Sequence, residues 1–274
     1  MSTESLQLLD DVVLHEDDLT EKAKCCFAYH SDIFHAFDKY RRNILDNNRF
    51  TRLGRHAFLS KIVHLHNDCK RILNYVAENI SLLSNNLPVV GPLVIYGLPR
   101  SGTTLLYNLL ACDPNCRAPL VTDMVGQCIP PIARSNLVEQ KQRLAAVQQA
   151  GQQMEELAGQ PNETIAAHPI FAIEEDYLIL RHTSIYILLA QLAVDVQSES
   201  DLWLEDITNK DFAYDYHETF LHLLNSVDRP HSHWLLKSPV HSFYLDTLLR
   251  HYPTAKLIMV HRHLNEVLPS FCRM

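Results

Sequence analysis

The chain has 274 residues and 47% of them are hydrophobic, enough apolar material for one large domain or for a domain with a helical annex. Its formal net charge is -8 and its pI is about 6.0, which argues against a broad basic face for nucleic acid. A local site for an anion is compatible with both values.

The first twenty residues are acidic and lack the basic start and apolar centre of a signal peptide. No apolar run approaches the roughly 20 residues that span a bilayer. The seven cysteines form no C-x-x-C pair, so we interpret them as reduced thiols. We therefore expect a cytoplasmic protein without a membrane partner.

Residues 17–86 have a helical pattern in which apolar side chains recur at intervals of three and four. The pattern includes Leu59, Ile62, Val63, His66, Cys69, Ile72, Leu73 and Val76. It ends at the polar run Ser84-Asn85-Asn86, which Pro88 follows shortly after. The sequence predicts a helical N-terminal region over residues 1–88.

From residue 89 the pattern changes to strands that alternate with helices. The predicted strands are 93–96, 233–237 and 255–261, and the predicted helices are 103–111, about 240–251 and one that begins near Leu264. Strand-helix repeats imply right-handed crossovers in a parallel sheet. We predict an α/β fold for residues 89–274, with a P-loop-like parallel sheet flanked by helices.

A largely helical insert is predicted between these repeats, at about residues 135–230. Residues 137–157 are amphipathic, and residues 174–196 are strongly apolar. Too few heptads are present for a coiled coil. We interpret the insert as a lid or a substrate wall over the sheet.

Residues 96–104 read Y-G-L-P-R-S-G-T-T and follow a short apolar run. Gly97 and Gly102 have the spacing of a nucleotide-binding phosphate loop, but Thr103 takes the place of the loop's lysine. A strand, a glycine-rich turn and a helix N-terminus direct backbone N–H groups and a positive dipole end at one spot. With Arg100 beside it, this pattern indicates an anion-binding site.

A magnesium-triphosphate site is not predicted, although the loop resembles one. Such a site needs the loop lysine and a carboxylate at the end of a neighbouring strand. Here the neighbouring strands end in Lys237-Ser238-Pro239 and His261-Arg262-His263, with cations where the acid would lie. We expect a nucleotide of lower charge, bound by arginine and backbone without a metal ion.

The histidines do not have the spacing of a metal site, so they do not alter the expectation of binding without a metal ion. His217 and His222 are five residues apart, one more than in H-E-x-x-H, which places the two rings about 140° apart on a helix instead of roughly 40°. Pairs such as His64 and His66 are two apart and face away from each other on a helix.

Three motifs together resemble the sulfotransferases that use 3′-phosphoadenosine 5′-phosphosulfate (PAPS). They are P-R-S-G-T-T-L from residue 99, L-L-K-S-P-V-H from residue 235 and V-H-R-H-L-N-E-V-L-P-S from residue 260. The match is clearest over residues 91–271. The resemblance implies an enzyme that transfers a sulfuryl group from PAPS to a hydroxyl or amine of a small-molecule acceptor.

The resemblance also implies roles for individual residues. The residues that would hold the 5′-phosphosulfate end are Arg100, Ser101, Gly102, Thr103 and Thr104. Arg262 and Ser270 would hold the 3′-phosphate, because a guanidinium and a hydroxyl are suitable partners for a phosphate dianion. Lys237 is similar in position to the lysine that neutralises the leaving group, and Arg100 would also act in catalysis.

The general base is less defined by the sequence. Related enzymes have a glutamate in a stretch like R-A-P-L-x-x-E, where this chain offers Asp123, one methylene shorter. His168 in A-H-P, Glu175 in the E-E-D cluster and His241 in K-S-P-V-H are the alternatives. Glu174 and Asp176 are weaker site candidates, because an acidic cluster is most often a solvated helix start.

Enzymes of this resemblance continue beyond the position where this sequence stops, so the chain resembles a C-terminally truncated member of the family. Two alternative functions follow. One is a truncated, catalytically inactive nucleotide-binding sulfotransferase homologue, and the other is a small-molecule kinase with an atypical P-loop. Preference for the phosphoadenosine nucleotide over Mg·ATP would separate the active sulfotransferase and the inactive homologue from the kinase. Turnover would separate the active sulfotransferase from the inactive homologue.

Overall fold

The N-terminal part of the chain is helical, as its spacing of apolar residues predicts. A computed structural model describes residues 12–158, 171–186 and 209–272. In it, α1 spans Glu21–Cys26, α2 spans His30–Asp46 and α3 spans Arg52–Glu78. Thr51 begins α3 because its hydroxyl oxygen accepts a hydrogen bond from Gly54 N at 3.1 Å. A short 3₁₀ turn at Ile80–Ser84 follows.

The predicted apolar stripe forms the buried face of α3, which packs against α1 and α2. Its buried members are Leu59, Ile62, His66, Cys69, Ile72, Leu73 and Val76, while Val63 is half-buried. Burying one leucine or isoleucine side chain contributes about 1.5–3 kcal/mol. The stripe therefore holds the three helices together.

The chain divides into two compact units. One contains the described residues of Met1–Ser81 and Ile179–Thr219, and the other those of Leu82–Leu178 and Phe220–Met274. Each unit combines two separate segments of the chain, whereas each predicted domain is one continuous segment. The two descriptions cannot be compared directly, so the domain boundaries stay a prediction.

A parallel sheet lies in the second unit. Its strands are β1 (Leu93–Tyr96), β2 (Leu235–Lys237) and β3 (Lys256–Met259), in the order β2-β1-β3. Ile95 of β1 aligns with Lys237 on one side and with Ile258 on the other. The α/β fold class with a P-loop-like parallel sheet is confirmed.

Helices lie between and after the strands in sequence. They are α4 (Thr103–Leu110), α5 (Val121–Met124), α6 (Leu137–Ala158), α7 (Tyr177–Leu180), α8 (Asp211–Asn225, which extends into both units), α9 (Leu245–His251) and α10 (Leu264–Phe271). Short 3₁₀ turns lie at Arg181–Thr183 and Pro239–Phe243. The helices predicted at 103–111, 137–157 and near Leu264 are confirmed.

Two predicted elements differ from the structure. The helix expected at about 240–251 is a 3₁₀ turn followed by α9, because Ser238 accepts a hydrogen bond from Val240 N and Tyr244 leaves helical geometry. In the described part of the apolar segment 174–196, residues 177–183 form α7 and a 3₁₀ turn, after which Ser184 has φ 74. Residues 187–196 lie outside the described residues.

The chain order of the strands places a site at one edge of the sheet. β1 is central, and the chain passes from it to β2 on one side and then crosses to β3 on the other side. Ligands of open parallel sheets bind where the order reverses, at the carboxyl ends of the strands. Here those ends are Tyr96, Lys237 and Met259.

Candidate active site

The turn after β1 requires glycine at its first position. Gly97 has φ 139, and a Cβ atom there would lie 2.8 Å from the carbonyl oxygen of Val260. The chain can therefore pass this close to the end of β3 only without a side chain. Gly102 has φ 99, and a Cβ there would meet nothing within 4 Å, so the space above the loop is open.

Arg100 lies in the middle of this loop with φ 68, a conformation that L-residues rarely adopt. Its Nε donates to Ser270 Oγ at 3.0 Å, and its carbonyl oxygen accepts a hydrogen bond from Arg262 at 3.5 Å. Arg262 also pairs with Glu266 at 2.6 Å. Arg100 thus contacts both the segment before α10, through Arg262, and α10 itself, through Ser270.

The N-terminus of α4 faces the loop. Gly102 is its N-cap and supplies no side-chain hydrogen bond, so the first N–H groups of the helix, including those of Thr103 and Thr104, have no intrahelical partners. Ser101 donates its hydroxyl proton to Leu98 O at 2.7 Å, which fixes the loop and leaves its oxygen able to accept. The arrangement suits an anion.

Lys237, the last residue of β2, brings an ammonium group to the same place. Its Nζ donates to Thr104 Oγ1 at 3.1 Å and forms a short ion pair with the carboxylate of Glu175. The Lys237 side chain is 4% exposed and that of Glu175 is 26% exposed. A buried cation, a carboxylate with solvent access and a helix N-terminus therefore meet at the carboxyl edge of the sheet.

Asp176 fixes the backbone beneath this ion pair. Its Oδ1 accepts a hydrogen bond from Lys237 N at 2.7 Å, and its Oδ2 lies 2.8 Å from His241 Nε2. Asp176 and His241 are both fully buried. Glu175 and Asp176, neighbours in sequence, thus hold Lys237 by its side chain and by its backbone respectively.

Glu174 has a structural role in the same segment. Its carboxylate accepts hydrogen bonds from Phe171 N at 3.1 Å and from Glu175 N at 3.3 Å. Burial raises the pKa of Glu174 above its usual range. Tyr107 of α4 donates to the Glu174 carbonyl oxygen at 3.1 Å, which ties the acidic segment to the helix after the loop.

Asp123 lies in a separate cluster around Arg117. Its Oδ2 accepts from Leu120 N at 2.9 Å and from Arg117 at 3.3 Å, and both side chains are almost wholly buried. Burial raises the pKa of Asp123 despite the nearby guanidinium. Its Oδ1 has no hydrogen-bond partner among the described residues.

Arg117 is occupied by other partners as well. It donates to the carbonyl oxygens of Leu224 and Asp228, at and just beyond the C-terminal end of α8, and lies over the Trp234 ring at 4.9 Å. A cation at the C-terminal end of a helix is favourable because the dipole is negative there. The Arg117 cluster thus supports the end of α8 and the start of β2.

Residues 92–274 match a family model described as the sulfotransferase family. The chain belongs to this family. The resemblance of the three sequence motifs to the sulfotransferase family is therefore confirmed, and the match covers the sheet, the glycine loop and the acidic segment of the chain.

Two solved sulfotransferase structures are similar to the chain. One is STF9 from Mycobacterium avium, with 22% identity and a TM-score of 0.71, over 99% of this chain and 65% of that one. The other is STF1 from Mycobacterium tuberculosis H37Rv, with 19% identity and a TM-score of 0.63, over 100% of this chain and 70% of that one. The chain thus spans about two thirds of their length. No curated protein matches it.

The residues predicted to form the site fall into three groups. The loop residues Arg100 to Thr104 lie next to Lys237, and Arg262 and Ser270 contact Arg100. Asp123 lies with Arg117 instead. His168 lies outside the described residues. Their catalytic and binding roles stay predictions.

Two features of the site were underrated or missed in the sequence. Asp176 was a weak candidate, since an acidic cluster usually reflects a solvated helix start, yet it is fully buried. Its signal is the run E-E-D directly before an apolar segment. In the sequence Arg117 is only part of the stretch around Asp123, and nothing in its spacing indicates that it reaches Asp228.

Within residues 12–158, 171–186 and 209–272, no helix is long and apolar enough to cross a membrane. The same residues contain no group of three or more His, Cys, Asp or Glu side chains that could hold a metal ion. The expected metal-free chemistry stays a prediction.

Proposed function

We propose that this sulfotransferase moves a sulfuryl group from PAPS to a hydroxyl or amine of a small-molecule acceptor. The observation that carries the proposal is the position of Lys237. Its ammonium lies between Thr104, at the N-terminus of α4, and the carboxylate of Glu175. A fixed cation, a helix N-terminus and a carboxylate are the groups that transfer of an anionic group needs.

The residues of the site fit the phosphosulfate end of such a donor. The open space above Gly102, the N–H groups of Thr103 and Thr104 and the nearby cation Lys237 form a cradle for a compact anion. When bound, PAPS supplies the sulfuryl group and a phosphate as its leaving group. We assign Arg100, Ser101 and the three residues after them to this end of the donor.

The 3′-phosphate would be held by Arg262 and Ser270. Both contact Arg100, which joins the two proposed phosphate sites through one residue. Arg262 is half-exposed and its partner Glu266 equally so, and an ion pair of this kind is worth only about 0–1 kcal/mol. A phosphate dianion can therefore replace Glu266 as the partner of the guanidinium.

Lys237 and Glu175 would share the chemistry of transfer. The Lys237 ammonium stabilises the negative charge that gathers on the leaving oxygen, and it is held in direction by Thr104. Glu175, with its partly exposed carboxylate, takes the proton from the attacking hydroxyl or amine. The short contact between the two side chains keeps the cation and the base at the same reaction centre.

We assign the base to Glu175 because of its access to solvent and its contact with Lys237. Asp123 is buried and binds Arg117, but its Oδ1 has no hydrogen-bond partner among the described residues, so Asp123 stays the alternative from the sequence. His241 is fully buried against Asp176, which leaves it no surface for an acceptor. His168 also stays a prediction, as does the cytoplasmic location.

Calorimetric titration with 3′-phosphoadenosine 5′-phosphate tests the proposal, with Mg·ATP as the competing nucleotide. We expect micromolar binding of the phosphoadenosine nucleotide, weakened at least about tenfold by Arg100→Ala, and little binding of Mg·ATP. The matched control is Arg250→Ala, an exposed arginine on α9 that pairs with Asp246. It should bind as the wild type does.

Turnover is then measured with ³⁵S-labelled donor and a panel of phenols, alcohols and amines. Labelled product would support the enzyme. Nucleotide binding without any labelled product would favour an inactive homologue, and tight Mg·ATP binding with phosphoryl transfer would favour a small-molecule kinase.

A further inference from the structure

The buried side chains of Asp176 and His241 contact each other beside the segment that carries Lys237. β2 ends at Lys237, Ser238 N donates to Ile95 O of β1, and the chain turns at once into the 3₁₀ turn Pro239–Phe243. His241 is the third residue of that turn. Asp176 spans the segment, because one oxygen accepts from Lys237 N and the other faces His241 Nε2.

The carboxylate determines which nitrogen of His241 carries a proton. A carboxylate can only accept, so the Nε2 atom at 2.8 Å donates to Asp176 Oδ2. With donors on both oxygens, the carboxylate plane is fixed relative to the end of β2. Both side chains are fully buried, so neither can reach an acceptor molecule.

We propose that His241 is a positioning residue that acts on Lys237 through Asp176. The His241 N–H fixes the Asp176 carboxylate, the carboxylate fixes the Lys237 backbone, and this backbone directs the ammonium between Thr104 and Glu175. Without the His241 donor, Asp176 Oδ2 loses that hydrogen bond in the interior and the carboxylate rotates. The Lys237 ammonium then loses its fixed direction.

A direct test observes the ammonium without any nucleotide. In a ¹H–¹⁵N spectrum of lysine side chains, an ammonium held by Thr104 and Glu175 exchanges its protons slowly and gives its own signal, which Lys237→Met assigns. We expect the signal to disappear in His241→Leu and to persist in His241→Gln, whose amide restores a donor.

His182→Leu is the matched control for burial. His182 is also buried and also hydrogen-bonded, to Tyr216 at 3.0 Å, but it lies in the other compact unit. It should lower the melting temperature and leave the Lys237 signal in place. Loss of the signal in this control as well would overturn the proposal, because general destabilisation would then explain both results.

The kinetic part of the test rests on the proposed function. We expect His241→Leu to lower kcat by about 100-fold while the donor KM changes less than about threefold, with His241→Gln restoring most of kcat. If the wild type transfers no sulfuryl group, the proposed function fails, but the ammonium spectrum still decides the positioning role.

Two further results would contradict the inference. A folded His241→Leu variant that keeps the Lys237 signal would show that the direction of the ammonium does not depend on His241. If His241→Leu does not fold, Asp176→Asn is measured in the same way. Retention of the signal in that variant would equally overturn the proposal, since the amide is a weaker acceptor for Lys237 N.

Discussion

Two clusters of buried charge lie at the two ends of β2, and they differ in what surrounds them. At the amino end, Arg117 binds Asp123 and the carbonyl oxygens at the end of α8 beside Trp234. At the carboxyl end, Lys237 binds Glu175 and Thr104 beside the glycine loop. The first cluster completes a helix end, and the second presents a cation to open space. Charge and burial alone therefore do not distinguish a structural ion pair from a reactive one.

The largest effect is expected where the structural cluster is broken. Arg117→Met leaves Asp123 buried without its guanidinium, so the free energy of unfolding should fall by about 3–5 kcal/mol. Urea unfolding measures the change. The double variant Arg117→Met/Asp123→Leu should recover a large part of the loss. If Arg117→Met is as stable as the wild type, the Arg117 cluster does not stabilise the fold and the two clusters do not differ in this way.

Lys237→Met breaks the other cluster with a different outcome. We expect kcat for sulfuryl transfer to fall by about 1,000-fold, about 4 kcal/mol of transition-state stabilisation, because the leaving oxygen loses its cation. Lys256→Met on β3 is the control, since Lys256 is exposed, and should act as the wild type. A change of less than about tenfold for Lys237→Met would contradict its role.

The two carboxylates sharpen the comparison further. Glu175→Gln should lower kcat by about 100-fold with little change in melting temperature, because it removes a base and leaves most contacts in place. Asp123→Asn should have the opposite pattern, with lower stability and kcat within about threefold for the folded fraction. If Asp123→Asn alone abolishes turnover, the base is Asp123, as the R-A-P-L-x-x-D stretch predicts.

His66, a buried histidine in the N-terminal helices, is a buried titratable group that belongs to neither cluster. Burial between Phe34 and Phe37 lowers the pKa of His66 to about 4, and Lys70 adds to this effect. The unfolded chain binds the proton near pH 6.5, so stability is present above that pH and decreases as the pH falls towards 4.

His66→Leu should therefore reduce the loss of stability between pH 8 and pH 5 by about 2 kcal/mol. Urea unfolding of the wild type and the variant at both pH values measures it. An unchanged pH dependence in the variant would show that His66 is not the group responsible.

Local patterns predicted the parts of the fold that depend on neighbouring residues. The glycine loop, β1 and the stripe of α3 follow from spacing and burial within one segment. The end of β2 is different, because Asp176 is 61 residues from Lys237 and 65 from His241 in sequence. A single sequence contains no signal for a hydrogen bond over such a separation.

The candidate site was predicted to a similar extent. The three motifs were sufficient to predict that Arg100, Lys237 and Arg262 lie close together, since parallel strands end at one edge of the sheet. The general base was harder to predict, because the sequence offers Asp123 first and His168, Glu175 and His241 as alternatives, and no local pattern decides among them. The three-dimensional contacts separate their surroundings, since Asp123 is buried against Arg117 at the end of α8 and Glu175 lies partly exposed beside Lys237.

The most direct test of the two-cluster account is calorimetric titration of 3′-phosphoadenosine 5′-phosphate into the wild type, Lys237→Met and Asp123→Asn. The account predicts an affinity at least about tenfold weaker for Lys237→Met, since one charge-assisted contact is lost, and an unchanged affinity for Asp123→Asn at a lower melting temperature. Equal affinity in the wild type and Lys237→Met, or a loss confined to Asp123→Asn, would contradict it.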